Sequence, residues 1–187
     1  MQIESGAGNR DTVVVTEDGR MNVSSRSSSR LYFQSRFGGR AYVWQNVGYD
    51  PAADDTILLV KNTNTSESLV IHSISVSAPE AAVWRINKIT ADVTVAGTVV
   101  TGVNLQSSDT VPAQASAAED ETGNTGGSIV AAFYTPANTM ETIDRNHFGT
   151  ALRLGTNHSV GVDCGTDVTN ALVTIVGYFE TDSKIKA

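Results

Sequence analysis

A single cysteine, Cys164, is all the thiol chemistry this 187-residue chain carries. It excludes an intrachain disulfide and leaves a thiolate zinc cluster without ligands. No run approaches the roughly 18 apolar residues that a membrane-spanning helix needs. The start, MQIESGAGNRD, lacks the charged-then-apolar order of a secretory signal, so a soluble protein made in the cytoplasm, with no membrane partner, is expected. No long stretch carries a helical period, which removes parallel α/β architectures, because their crossovers need helices.

Catalytic signatures are missing as well. There is no G-x-S-x-G elbow, no phosphate-binding loop and no H-E-x-x-H, and GAGNRD at 6–11 offers only two glycines. Aromatic residues make up 6% of the chain, too few to line a sugar groove, so Asp54 and Asp55 read as turn residues before TILLV and not as a glycosidase pair. Glu119, Asp120 and Glu121 with Asn124 lack the alternating order that places oxygens around calcium, and read as a solvated run. His72 and His158 sit among valines and isoleucines and are expected to be hydrogen-bonded core or interface residues; His147, in ETIDRNHFG, belongs to a loop. The sequons at Asn22, Asn64 and Asn157 read as loop chemistry. No catalytic residue, cofactor or metal is expected, and the chain reads as non-enzymatic.

What is present is a set of short segments rich in Val, Ile, Thr and aromatics, bounded by Gly, Asn, Asp or Ser, which is the signature of strands. They are 12–16, 41–47, 56–62, 68–76, 81–89, 92–101, 128–134, 150–154, 158–164 and 171–180. Their number and spacing predict an all-β fold, an antiparallel β-sandwich or jelly roll, over residues 41–187. In HSVGVDC, His158, Val160, Val162 and Cys164 alternate with Ser159, Gly161 and Asp163, which predicts one core face and one wet face. His72 falls in step with Val70, Ile74 and Val76 on one face of its strand. In ALVTIVGYFE both parities are apolar, so that strand is expected to be covered on both faces, as a central strand or by a neighbouring subunit.

Two stretches escape the strand pattern. Residues 107–127 read as a long irregular loop, and residues 1–40 as an extended N-terminal arm. Charge separates the arm from the body: residues 1–40 hold six arginines against four acids, a net of +2, while the remainder holds seven bases against sixteen acids, a net of −9. The stretch 24–40, SSRSSSRLYFQSRFGGR, carries Arg26, Arg30, Arg36 and Arg40, the patch Leu31, Tyr32 and Phe33, then Phe37, and no acid. Arginine interleaved with aromatics suits nucleic acid, but a polyanion would be repelled by the acidic body, and nucleic acid is disfavoured as a partner. A protein-docking arm is favoured, with arginines pairing acidic surface, the aromatics as anchors and Gly38-Gly39 as a hinge.

The segments DGRMNVSSR (18–26), SRFGGRAYVWQNVGYDPAADDTILLVKNTN (35–64), SLVIHSISVS (68–77), GTVVTGVNLQSS (97–108) and LGTNHSVGVDC with VTIVGYFE (154–180) together resemble a family of small virion structural proteins of tailed bacteriophages. The resemblance spans most of the chain and brings no catalytic motif. It implies a jelly-roll assembly protein with an N-terminal extension without fixing its place in the particle, and a capsid decoration or cement protein is the leading expectation. The expected partner is the major capsid protein or another virion protein, the expected location the virion, and the expected assembly a homo-oligomer, with a trimer favoured. A tail- or fibre-associated virion protein is the nearest alternative. A carbohydrate-binding β-sandwich module, needing Trp44 or Trp84 as an exposed platform, is the alternative from another class.

Overall fold

The structure, a computed structural model, describes residues 30–48, 55–106, 111–121, 127–148 and 151–181. Four substantial strands open the body: β1 (Ala41–Gln45), β2 (Thr56–Asn62), β3 (Ser68–Ala78) and β4 (Ala82–Ile89). Two short ones follow, β5 (Thr98–Val99) and β6 (Val103–Asn104). The chain then forms β7 (Ala115–Glu121), β8 (Ser128–Thr135), β9 (Thr139–Asp144), β10 (Leu152–Leu154), β11 (Ser159–Cys164) and β12 (Leu172–Glu180). Among the described residues, helix is confined to single turns, α1 (Arg30–Phe33), which runs into a π-turn (Gln34–Gly38), and α2 (Arg145–Phe148).

The pairings are antiparallel and build two six-stranded sheets, giving the all-β sandwich that the segment pattern predicts. The first runs β10-β3-β12-β1-β6, with β9 also on β3; the second runs β5-β7-β2-β11-β4-β8. Their inner faces meet in one core, to which Trp44, Ile71, Ile74 and Ile175 come from the first sheet and Leu58, Trp84, Ile86 and Val162 from the second. Each sheet is too apolar on its inner face to stand alone, and the stacked pair removes both faces from water.

Several expectations are corrected. Residues 92–101 are not a strand except at Thr98–Val99. The connection from β4 to β5 instead crosses over β11, β2 and β7 as a strap, because β4 and β5 stand at distant positions in the second sheet. Lys61 Nζ donates to Asp92 Oδ1 at 2.5 Å and to the Val93 carbonyl at 2.7 Å, and the N–H groups of Ala96 and Gly97 donate to Glu121 Oε1 at 2.6 and 2.8 Å. β11 has no wet face: beside its Ser159 end Asn157 Nδ2 donates to Asp92 Oδ2 of the strap at 3.1 Å, and at its other end Asp163 Oδ2 accepts from Asn87 Nδ2 at 2.5 Å. Ser159, Gly161 and Asp163 are buried along with Val160, Val162 and Cys164, and Leu59, beside Gly161 and Ala118 in register, is fully buried on the face turned from the core.

In β3 the face assignment flips partway. Val176 of β12 pairs Ser73 while Gly177 pairs Ile71, so His72 is an extra residue in a β-bulge. Leu69 and Ile71 therefore join Ile74 and Val76 in the core, and Val70 faces out. The stretch 107–127 is not one irregular loop, since β7 lies inside it and pairs β2 over Thr56–Asn62. The strand expected at 12–16 lies outside the described residues.

Candidate functional site

The arm's described part is coiled, not extended. Arg30–Phe33 and Gln34–Gly38 form consecutive helical turns, and Gly39 closes them in the left-handed region at φ 58, which a Cβ would disfavour. The Arg40 N–H then donates to the Gln34 carbonyl at 3.1 Å, the Phe179 N–H donates to the Arg40 carbonyl at 3.0 Å, and β1 begins. Leu31 packs against a small cluster of Ala41, Val70 and Tyr178, on the outer face of the first sheet. The strand expected to be covered on both faces is thus covered at its C-terminal end by the chain's own helical turn.

Two carboxylates of the body hold this clip. Glu180, at the end of β12 and 7% exposed, is ion-paired with Arg30 and accepts a 2.5 Å hydrogen bond from Arg153 of β10. Arg40 is ion-paired with Glu67, whose position is set by a local turn. Asn64 Oδ1 accepts from the N–H groups of Ser66 at 2.8 Å and Glu67 at 3.1 Å, an Asx turn that also explains the sequon form of Asn64-Thr65-Ser66. Asn62, buried, braces that turn by accepting from the Asn64 N–H at 2.9 Å and donating to the Glu67 and Leu154 carbonyls at 3.0 and 2.9 Å.

Of the residues singled out in sequence, Arg30, Leu31, Tyr32, Phe33, Arg36 and Arg40 come together in this clip. Arg26 and the Phe37 side chain lie outside the described residues. Arg30 and Arg40 grip this chain's own acids, whereas sequence reasoning assigned them to a partner. Tyr32 and Phe33 are about half exposed, and the Arg36 guanidinium donates to the Tyr32 hydroxyl at 2.6 Å with its carbon 5.9 Å from the ring centroid. This gives a cation-aromatic surface on a fixed turn, the composition enriched at protein interfaces. Sequence reasoning missed Glu67, Glu180 and Arg153. Only Glu67 had a local signal, the Asx-turn spacing from Asn64.

Elsewhere the candidates resolve into structure. Trp44 and Trp84 are fully buried, and Trp84 donates to Thr135 Oγ1 at 2.8 Å, so neither supplies a sugar-stacking platform. His147 Nδ1 lies 3.0 Å from Asp144 Oδ1 at the start of α2. Of the acids read as a calcium-like run, Glu121 accepts from the strap and Glu119 Oε2 from the Val47 N–H at 3.1 Å. Among the described residues no group of three or more His, Cys, Asp or Glu is placed to hold a metal ion.

No family model matches the chain, and neither curated proteins nor solved structures show significant similarity to it.

Proposed function

We propose that this chain is a non-enzymatic virion structural protein of the tailed-bacteriophage kind, a capsid decoration or cement protein that binds the major capsid protein and assembles as a small homo-oligomer, a trimer. The observation that carries the reading is the clip: a basic, aromatic segment is anchored at its root to a rigid β body by Arg30–Glu180 and Arg40–Glu67, with Tyr32, Phe33 and Arg36 at the surface. Anchoring pre-orders the exposed Tyr32, Phe33 and Arg36, so less conformational freedom is lost when they meet a partner. The pairing order supports it. The series β1-β12-β3-β9 and β2-β11-β4-β8 is compatible with the proposed jelly roll of two Greek keys, an architecture used by capsid proteins and lectins alike. Architecture alone is an analogy, and the clip is what favours protein docking.

Particle loading tests it. Purified chain is added to virions lacking it, and the fraction retained on heads and on tails is measured after mild dissociation. Wild type is expected on heads. A Tyr32→Ser, Phe33→Ser, Arg36→Ser variant, folded by circular dichroism, is expected to lose most of its occupancy. Undiminished loading of the variant would refute docking through the clip, and retention on tails would move the protein to the tail-associated class.

A further inference from the structure

The two sheets differ in what lies on their outer faces. The second carries the strap, tied down through Lys61 of β2 and Glu121 of β7. On the first, Trp44, Ile74, Ile143 and Ile175 point into the core, so their neighbours along each strand point out. One outward rung runs in register through Gln45, Thr174, Ser75 and Thr142 of β1, β12, β3 and β9, and the next rung toward the clip begins with Val43 and Val176. Ser75 and Thr142 share a 2.9 Å hydrogen bond, and no described residue outside the sheet hydrogen-bonds to a side chain of the first rung. The charged residue on these two rungs is Asp144, at the β9 end of the second, with His147 Nδ1 3.0 Å from its carboxylate.

The front of the chain enters on this same face. Arg30 is ion-paired with Glu180 at the end of β12, and Leu31 rests on Ala41, Val70 and Tyr178, the outward rung next to Val43 and Val176. Whatever precedes Arg30 therefore sets out from the rim of the bare rungs. Residues 1–29 hold one run of three consecutive apolar residues, Val13 to Val15 in TVVVT at 12–16. Asp11 with Thr12 to Val15 matches the make-up of the strap, Asp92 with Val93, Thr94 and Val95. The thirteen residues 17–29 can span up to about 45 Å, well beyond the roughly 15 Å from Tyr178 to Thr174 along β12. A segment laid on a sheet needs partners for its own backbone. The hydroxyls of Thr174, Ser75 and Thr142 and the Gln45 amide supply donors and acceptors with no charge to desolvate.

We propose that residues 12–16 are a second strap, docked across the outer face of the first sheet of their own chain, with valine side chains on Val43 and Val176 and the backbone on the Gln45–Thr142 rung. Tethering favours the chain's own segment over that of another copy, because a short linker holds it at an effective concentration on the order of millimolar. The charges that flank the segment, Arg10 and Asp11 before it and Glu17 and Asp18 after it, then fall toward the margins of the sheet and stay in water. Docking there also supplies the outer cover that β12, apolar on both faces, has from Leu31 only at its C-terminal end. The contact holds or fails independently of the virion reading.

The test is the rate of thiol labelling in the full chain carrying Thr174→Cys, with Tyr134→Cys, 63% exposed on β8 of the other sheet, as the reference. Native Cys164 is fully buried and reacts only on unfolding, so its silence reports an intact fold in every sample. Adding Val13→Ser, Val14→Ser and Val15→Ser together is expected to speed labelling at Thr174→Cys by about tenfold or more, since the burial of even one valine shifts a closed-to-open equilibrium by that much. Labelling at Tyr134→Cys should not change. Ser75→Cys, on the same rung, repeats the measurement should Thr174→Cys disturb the strand. Protection of both positions is expected to be the same at every protein concentration. A rate at Thr174→Cys that is unaltered by the three serines would overturn the proposal, if fast because the face is bare and if slow because something else covers it. Protection that disappears on dilution would hand the face to another copy's segment and overturn the assignment to the chain's own.

Discussion

Arg30, the first described residue of the arm, is ion-paired with Glu180 at the last position of β12, and Arg153 approaches the same carboxylate from β10. The arm's root is therefore part of the body's electrostatics. The Arg30 side chain is mostly exposed, so the pair is worth roughly 0.2–1 kcal/mol. Arg30→Ser should lower global stability by about that amount in urea denaturation. Its larger effect should be local, with faster cleavage within residues 30–40 under limited proteolysis, because the turn then loses its tie to the end of β12 and keeps the Leu31 packing and the Arg40–Glu67 pair. Unchanged cleavage would show that the ion pair does not hold the clip.

Asn46 extends β1 beyond its last regular pairing. It is buried, its Oδ1 accepts from the Val173 N–H at 2.7 Å, and its Nδ2 donates to the Ala171 carbonyl at 2.8 Å. Asn46→Ala strands both backbone groups in a dry interior. It should cost about 1–3 kcal/mol by chemical denaturation, the penalty of an unsatisfied buried group. A loss under half a kcal/mol would mean that water reaches the site.

The sandwich was legible because its signal is local: a strand such as TILLVKN announces itself by β-branched content and flanking turns. What escaped depends on contacts distant in sequence. The strap over β11 looks like a strand, with Val93 and Val95 alternating, and only the remote positions of β4 and β5 make it cross the sheet. β7 reads as loop because Ala, Ser and three acids have poor strand propensity; pairing with β2 overrides it. The bulge at His72 shifts the face of half a strand while leaving the sequence pattern intact. At the candidate site the arm's composition was visible, but its attachment to Glu180 and Glu67 required knowing where the ends of β12 and β3 lie.

Glu80, in the β3–β4 turn, is half-buried and has its carboxyl pKa lowered below 4.5, first by the hydrogen bond from the Thr169 hydroxyl at 2.6 Å and then by the Thr169 N–H at 3.2 Å. A depressed folded-state pKa stabilises the fold above the unfolded value and loses that contribution as pH falls through the folded one. Glu80→Ala should therefore be less stable than wild type at neutral pH, with the gap closing on acidification below about pH 4.5. A gap that stays constant as the pH falls well below 4.5 would show that the residue acts through something other than its charge.

Gly97 marks where the strap comes down onto β7. A Cβ built there would stand 2.1 Å from the Glu119 carbonyl oxygen and 2.9 Å from that of Asp120, and both obstacles are backbone, so neither can rotate away. Gly97→Ala must lift the strap or push β7 outward. Lifting would lengthen the hydrogen bonds from Ala96 and Gly97 to Glu121, a carboxylate 2% exposed, and admit water to Leu59 beneath. The expected cost is about 1–3 kcal/mol, as for other overpacked sites. Hydrogen exchange should localise it, with the amides of β2 and β7 losing protection while those of β3 and β12, in the other sheet, keep theirs. Uniform loss across both sheets would show that the strap is integral to the whole sandwich rather than a cover over one face.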